Sequence, residues 1–200
     1  MKQDLAIACT CGTVTGTLHD VGPGEGDRLT CYCSDCRDFV RLLGRGDDIL
    51  DDHGGNAVYQ TRVAKLELHT GADRLATLHM TEKPTMRWYA ACCNTPFFNT
   101  AAKAKPPFLS VNLACCDADR RDAVLGPPKG QFLAHEAQPP IENPKAVSMF
   151  QLARGFFPRV IKDLLSGDWR KSPLFDPASK EPIAKPRRVT PEERAALGEA

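Results

Sequence analysis

Seven of the nine cysteines fall in three short clusters: Cys9-Thr10-Cys11-Gly12, Cys31-Tyr32-Cys33-Ser34-Asp35-Cys36 and Cys92-Cys93-Asn94-Thr95. Zinc takes four tetrahedral ligands, with sulfur at about 2.3 Å, so thiolates two or three residues apart on a tight turn can reach one ion. In a Cys-x-Cys pair the intervening side chain points away from that ion. Cys31, Cys33 and Cys36 can supply three thiolates from one loop. Three thiolates with the fourth position open make a Lewis acid able to bind and activate a further ligand. Thiolate surroundings select zinc over magnesium or calcium, which prefer oxygen; iron–sulfur ligation uses the same sulfurs and stays open. A lone cysteine is ordinarily a small buried apolar residue. Five thiols at 9, 11, 31, 33 and 36 match ligand spacing instead.

An odd cysteine count leaves at least one thiol unpaired within the chain, and the opening residues hold an apolar run of only four before Cys9. Both favour a reducing compartment, the cytoplasm, and metal chemistry over structural disulfides. No stretch reaches the eighteen or so apolar residues that span a bilayer. With 26 Lys and Arg against 25 Asp and Glu, the net charge is +1. That balance sets up no field for nucleic acid or an acidic membrane, and neither is expected as a partner.

These clusters need elements to hold them. Residues 4–19 alternate as one strand, and Arg28-Leu29-Thr30 leads into the middle cluster. Asp35 to Leu43 predicts a short helix stopped by Gly44, and Asp47 to Asn56 a polar loop. Further strands are expected at 57–61, 64–70, 75–80, 86–90, 97–100 and 108–113, with Gly71-Ala72-Asp73 joining 64–70 to 75–80 as a hairpin. From about residue 126 the prolines at 127, 128, 139, 140 and 144 mark a connector. Lys145 to Arg154 predicts a helix closed by Gly155, and Pro158 opens a second one ending near Gly167. The periodicity of Phe150, Ala153, Phe157, Ile161 and Leu164 makes this a helical hairpin packed on the domain, or else a helix lying on a membrane surface. A tail from Ser179 ends in a short helix at Thr190-Pro191. The expected fold is therefore mainly β over 1–125, with a linker, helical hairpin and extended tail over 126–200.

In order and spacing these cysteines resemble those of the glutathione-dependent formaldehyde-activating enzymes and their centromere-protein-V relatives. That family carries Cys-x-Cys-Gly, then Cys-x-Cys-x-x-Cys-Arg, then Cys-x-x-Cys-Gly-Thr. Cys9 to Gly12 match the first element and Cys31 to Arg37 the second, within a resemblance covering roughly residues 5–115. The resemblance implies a β-tent, small coiled antiparallel sheets pinned by two zinc ions. It also implies a structural zinc on Cys9, Cys11 and the third element, and a catalytic zinc on Cys31, Cys33 and Cys36. The third element departs from the pattern, because Ala90 stands where its first cysteine belongs and Cys93 aligns with the second. Either Cys92 supplies the missing thiolate or the site is one sulfur short; joint ligation by Cys92 and Cys93 is expected. Neighbours on a strand face opposite ways, so that requires a turn or bulge. Tyr32 also replaces a common His, and Asp38 a common second Arg.

Cys115-Cys116 can pack in the core, complete the Cys31, Cys33 and Cys36 site, or act as a redox pair. The histidines 19, 53, 69, 79 and 135 lack short metal spacing, with His79, on the strand preceding Cys92, the exception to watch. Arg37, Arg41 and Arg45 recur every fourth residue, as a solvated helix face or a trap for a peptide thiol's carboxylates. The function expected is a zinc-dependent carbon–sulfur lyase-like enzyme that activates a thiol, glutathione if the resemblance extends to substrate. The thiol would add to, or leave, a small electrophile such as formaldehyde. A non-catalytic zinc module binding a protein partner and a thiol redox enzyme are the alternatives.

Overall fold

A computed structural model describes residues 1–198; positions 199 and 200 of the predicted tail lie outside them. Along the chain come β1 (Gln3–Ala8), β2 (Thr15–Val21), β3 (Asp27–Cys31), α1 (Ser34–Leu42) and α2 (Gly46–Ile49). Strands β4 (Asn56–Thr61), β5 (Leu66–Thr70), β6 (Leu75–His79), β7 (Thr85–Ala90), β8 (Thr95–Ala101) and β9 (Leu109–Asn112) follow. The rest comprises α3 (Arg121–Leu125), β10 (Gln131–Phe132), β11 (Ala146–Val147), α4 (Met149–Ser166), β12 (Pro186–Arg188) and α5 (Pro191–Ala195). The fold is mainly β, in a small sheet ordered β1-β2-β5 and a large one ordered β11-β10-β3-β4-β9-β8-β7-β6-β12. One apolar core takes Leu5, Ile7 and Leu18 from the small sheet and Tyr59, Trp88, Phe97 and Phe98 from the large.

Two predicted connections differ. The single strand over 4–19 is a hairpin, β1 paired antiparallel with β2, because Cys9-Thr10-Cys11-Gly12 is itself the turn and Gly12 takes a left-handed φ of 75°. The pair flanking Gly71 is not a hairpin: β5 pairs with β2 and β6 with β7, in different sheets. Gly71 sits at φ 70°, and a Cβ there would lie 2.5 Å from the Thr13 carbonyl oxygen, so glycine lets the chain cross from one sheet to the other.

The predicted helical hairpin is one helix. Ser148 and Gln151 form a capping box that starts α4 at Met149, and Gly167 ends it at φ 77°. Gly155 and Pro158 are both internal. A mid-helix proline removes one hydrogen bond and disfavours helix by about 3 kcal/mol, and packing on both sides of it outweighs that. Leu152 enters the apolar cluster around Cys31, Arg159 pairs with buried Asp27, and Asp163 pairs with Arg62. Gly155 serves closeness, since a Cβ there would lie 2.7 Å from Asp27 Oδ2. The large sheet does not respect a boundary near residue 125. Strand β10 joins β3 at one side and β12 joins β6 at the other, both in parallel. These strands of two and three residues carry no alternation to read, and Pro186 is tolerated because β12 is an edge.

His19 on β2 lies between Glu67 of β5 (2.6 Å) and Asp4 of β1 (3.0 Å), tying the small sheet together. Its pKa is raised, chiefly by the hydrogen bond with Glu67 and then that with Asp4. A group raised in the folded state contributes stability below its unfolded value of about 6.5, and loses it as pH rises through the folded value. The ring is 40% exposed, so solvent screening keeps the effect small. His19→Gln is expected to lower stability slightly at acid pH and not at all above the folded pKa. An NMR titration placing His19 at or below an ordinary imidazole value would contradict this.

Candidate metal centres

The first thiol group joins the two sheets. Cys9 and Cys11 come from the β1–β2 turn, Cys92 and Cys93 from the β7–β8 turn, and the four sulfurs lie within 4.8 Å of one another. Tetrahedral zinc with bonds of about 2.3 Å would separate its sulfurs by about 3.8 Å. Here Cys9 and Cys11 are 3.5 Å apart, Cys9 and Cys92 3.9 Å, Cys11 and Cys92 3.4 Å, and Cys92 and Cys93 3.9 Å. Cys92 and Cys93 reach one point because they are not on a strand. Strand β7 stops at Ala90, whose side chain is wholly buried, and Asn94 at φ 55° folds the chain back. Cys92 thus stands where Ala90 leaves no sulfur.

Polar neighbours fix these turns. The Val14 amide donates to Cys9 Sγ at 3.2 Å, and the Thr10 amide donates to Thr95 Oγ1 at 3.0 Å. The Thr13 hydroxyl lies 3.2 Å from Cys11 Sγ. Thr13, through its hydroxyl and then its backbone amide, lowers the Cys11 pKa to about 6. Burial and a hydrogen bond with Cys11 push Cys92 up to about 12. Arg45 donates to the Cys93 carbonyl (3.3 Å) and the Thr10 hydroxyl (3.2 Å), bracing both turns at once.

The second group is Cys31, Cys33 and Cys36, again within 4.8 Å. Cys31 ends β3, Cys33 is the N-cap of α1 and Cys36 lies in its first turn. Cys31 and Cys36 are buried and Cys33 is half-buried. Leu29, Val58, Val147 and Leu152 pack around them. Phe132 pairs with Cys31, and Val147 with Phe132. Both also line a cavity of about 500 Å³ whose walls are largely apolar, with His135 the titratable side chain among them. Hydrogen bonds with Cys31 and then Cys33 hold the Cys36 thiol well below its ordinary range, while hydrogen bonds with Cys33 and then Cys36 raise Cys31. Three thiols this close favour a shared negative charge.

Arg87 is the partner that sequence reading missed. It sits on β7, is 4% exposed, and donates to Asn99 Oδ1 at 3.0 Å and to Cys36 Sγ at 3.5 Å. Its guanidinium lies 5.7 Å from the Phe39 ring centroid. A buried arginine stays protonated and needs a countercharge. Asp35 is already paired with Lys83 and Arg194, which leaves the thiol group. Alternation sets Arg87 on the face opposite Met86 and Trp88, and it is buried because α1 covers that face through Phe39 and Cys36.

Other expectations divide. Cys115 and Cys116 belong to neither thiol group. Both are buried in the main core, where Cys115 Sγ donates to the Asn112 carbonyl at 3.0 Å. Burial drives the Cys115 thiol upward, the reverse of what a redox-active cysteine needs. His79 lies 3.1 Å from the Thr85 carbonyl, to which Nδ1 donates, and joins neither group. The arginine row is broken up. Arg37 is buried and donates to the Glu136 carbonyl, Arg45 braces the first group, and Arg41 alone flanks an open groove.

Among the described residues, no helix is long and apolar enough to cross a membrane. A family model described as "Family of unknown function (DUF6151)" matches residues 1–185. No curated protein matches the chain. Among solved structures, the crystal structure of a Rhodobacter sphaeroides protein is similar at 20% identity, covering 56% of this chain and 88% of that one, with a TM-score of 0.41.

Proposed function

This chain belongs to the DUF6151 family of unknown function, and from its thiol groups we propose a zinc protein with one structural and one reactive centre. Cys9, Cys11, Cys92 and Cys93 would hold the structural ion and close its shell. Cys31, Cys33 and Cys36 would hold the other with three sulfurs. The observation that carries this reading is the difference in ligand number, four converging thiols in one group and three in the other. The sheets meeting at the first group fit the β-tent that the cysteine resemblance implies.

Zinc at the second group would lower the pKa of an incoming thiol and present it as a thiolate. The chain's own residues do the rest. Arg87 balances the buried negative charge, while Phe132, Val147 and Leu152 keep the surroundings apolar. Half-buried Cys33 marks the side open to solvent. The reaction proposed is addition of that thiol to a small carbonyl electrophile such as formaldehyde, or the reverse. A carbon–sulfur bond forms as the carbonyl π bond opens, and its oxygen takes up a proton. Glutathione is the thiol that the resemblance implies.

A non-catalytic zinc module is the second reading, favoured by the burial of Cys31 and Cys36. Cobalt substitution separates the two. Added glutathione should shift the visible spectrum of a cobalt-loaded protein, since a thiolate ligand is gained. A spectrum indifferent to glutathione and to smaller thiols would leave the structural module standing.

A further inference from the structure

Of the eight large apolar side chains exposed among the described residues, six lie on α4: Met149, Phe150, Phe157, Ile161, Leu164 and Leu165. The helix buries its other face, through Leu152, Val160 and Asp163, against the sheet. At about 100° per residue, Phe150, Phe157, Ile161 and Leu164 share a stripe about 60° wide that points away from the body. Monomers rarely leave such a row uncovered.

Three properties of the row identify what covers it. The first is symmetry. Phe157 is the midpoint, with Phe150 and Leu164 seven residues to either side and Met149 and Leu165 eight. An antiparallel crossing on a two-fold at Phe157 sets Phe157 against its own copy and Phe150 against Leu164 of the second copy. Ala153 then meets Ile161 of that copy, small against large. A two-fold interface requires this self-complementarity; an unrelated partner does not. The second is composition. The row combines Phe, Met and Leu with Arg154, and residues 143–162 contain no Asp or Glu; interface cores enrich aromatics, Met and Arg and lack acids. The third is area. Exposures of 72% for Phe150, 58% for Phe157 and 85% for Leu165 imply on the order of 700 Å² of apolar surface in the row, close to the ~800 Å² per partner of a standard interface. A bilayer surface fits less well: it gives no reason for the row's two-fold pairing, and Arg154 borders the stripe about 20° beyond Ile161.

We propose that this face of α4 binds a second copy of the chain, in an antiparallel two-fold dimer centred on Phe157. The test is sedimentation equilibrium on the full-length protein with a charge-swap pair. The wild-type chain should dimerise at micromolar concentration. Phe150→Lys alone and Leu164→Glu alone should each weaken the dimer at least about tenfold. The two together should dimerise more tightly than either, since the new ammonium of one copy meets the new carboxylate of the other, and this recovery should fade with salt. Positions 150 and 164 are about 21 Å apart along one helix, so no recovery can arise within a single chain. Far-UV circular dichroism should be unchanged throughout, as both sites are exposed. A wild-type chain that stays monomeric, single variants without effect, or a double variant no tighter than the singles would each overturn the proposal. So would pelleting of a monomeric chain with phosphatidylserine–phosphatidylcholine vesicles that is lost in Phe157→Asp.

Discussion

On the zinc reading proposed above, Cys9→Ser is expected to release about half of the bound metal and to leave the chain largely unfolded at physiological temperature. Cys9 is buried and takes the Val14 amide on its sulfur, so it orders the β1–β2 turn as well as facing the other three thiols. That turn and the β7–β8 turn belong to different sheets, and the first thiol group is where those turns meet. A domain of this size holds about 5–15 kcal/mol of net stability. Structural zinc contributes an apparent 10 kcal/mol or more to the folding of zinc-finger peptides. Loss of one of four ligands is therefore comparable with the whole margin, even for a chain with its own apolar core. Cys33→Ser should behave differently. Cys33 is the N-cap of α1 and makes no side-chain capping bond, whereas serine is among the best N-caps, so the helix start gains what the lost sulfur removes. The expected phenotype is a folded protein with near-normal thermal unfolding and no cobalt response to added thiol. Metal content by mass spectrometry and calorimetry on both variants decides the matter. Equal loss of stability in the two would mean that both centres are structural.

Elements whose cause is local were legible in the sequence. The short helix after Cys33 needs only its apolar face and Gly44, and the predicted span 35–43 lies one residue from α1. The strands before and after the third cluster carry alternation or aromatic runs and stand where expected, as β7 and β8. Long-range causes left no such mark. The Cys9–Gly12 segment reads as strand because a ligand turn and a strand can share residue types, and only the pairing of Ala6 with Thr17 reveals the bend. Nothing near Pro158 announces that Leu152 packs beside Cys31 before it, or that Asp27 and Arg62, from other elements, pair with Arg159 and Asp163 after it. Spacing was informative for the thiols because ligand geometry is local within each turn. It could not show that Cys92 rather than residue 90 faces Cys9, which depends on the turn at Asn94.

Arg87→Met is expected to weaken metal binding at the second group by about 10–100-fold while leaving the first group loaded, the size of effect seen when a residue supporting a metal ligand is removed. Three thiolates around a divalent cation carry one net negative charge, and burial makes an unbalanced charge expensive. Arg87 supplies the balancing charge 3.5 Å from Cys36 Sγ. No other cation hydrogen-bonds to a sulfur of this group among the described residues, since the Arg37 guanidinium donates to carbonyls. The dependence should run both ways. Cys36→Ser removes an anion and leaves Arg87 buried with neutral partners, a loss of about 3–5 kcal/mol by analogy with one-sided removal from buried pairs. If the two charges compensate, the double variant is less destabilised than the sum of the single losses, with a coupling of roughly 0.5–3 kcal/mol. Denaturant unfolding of the four proteins measures that coupling directly. Strictly additive losses would mean that Arg87 is held by Asn99 and Phe39 alone, and that the three thiols carry no charge for it to balance.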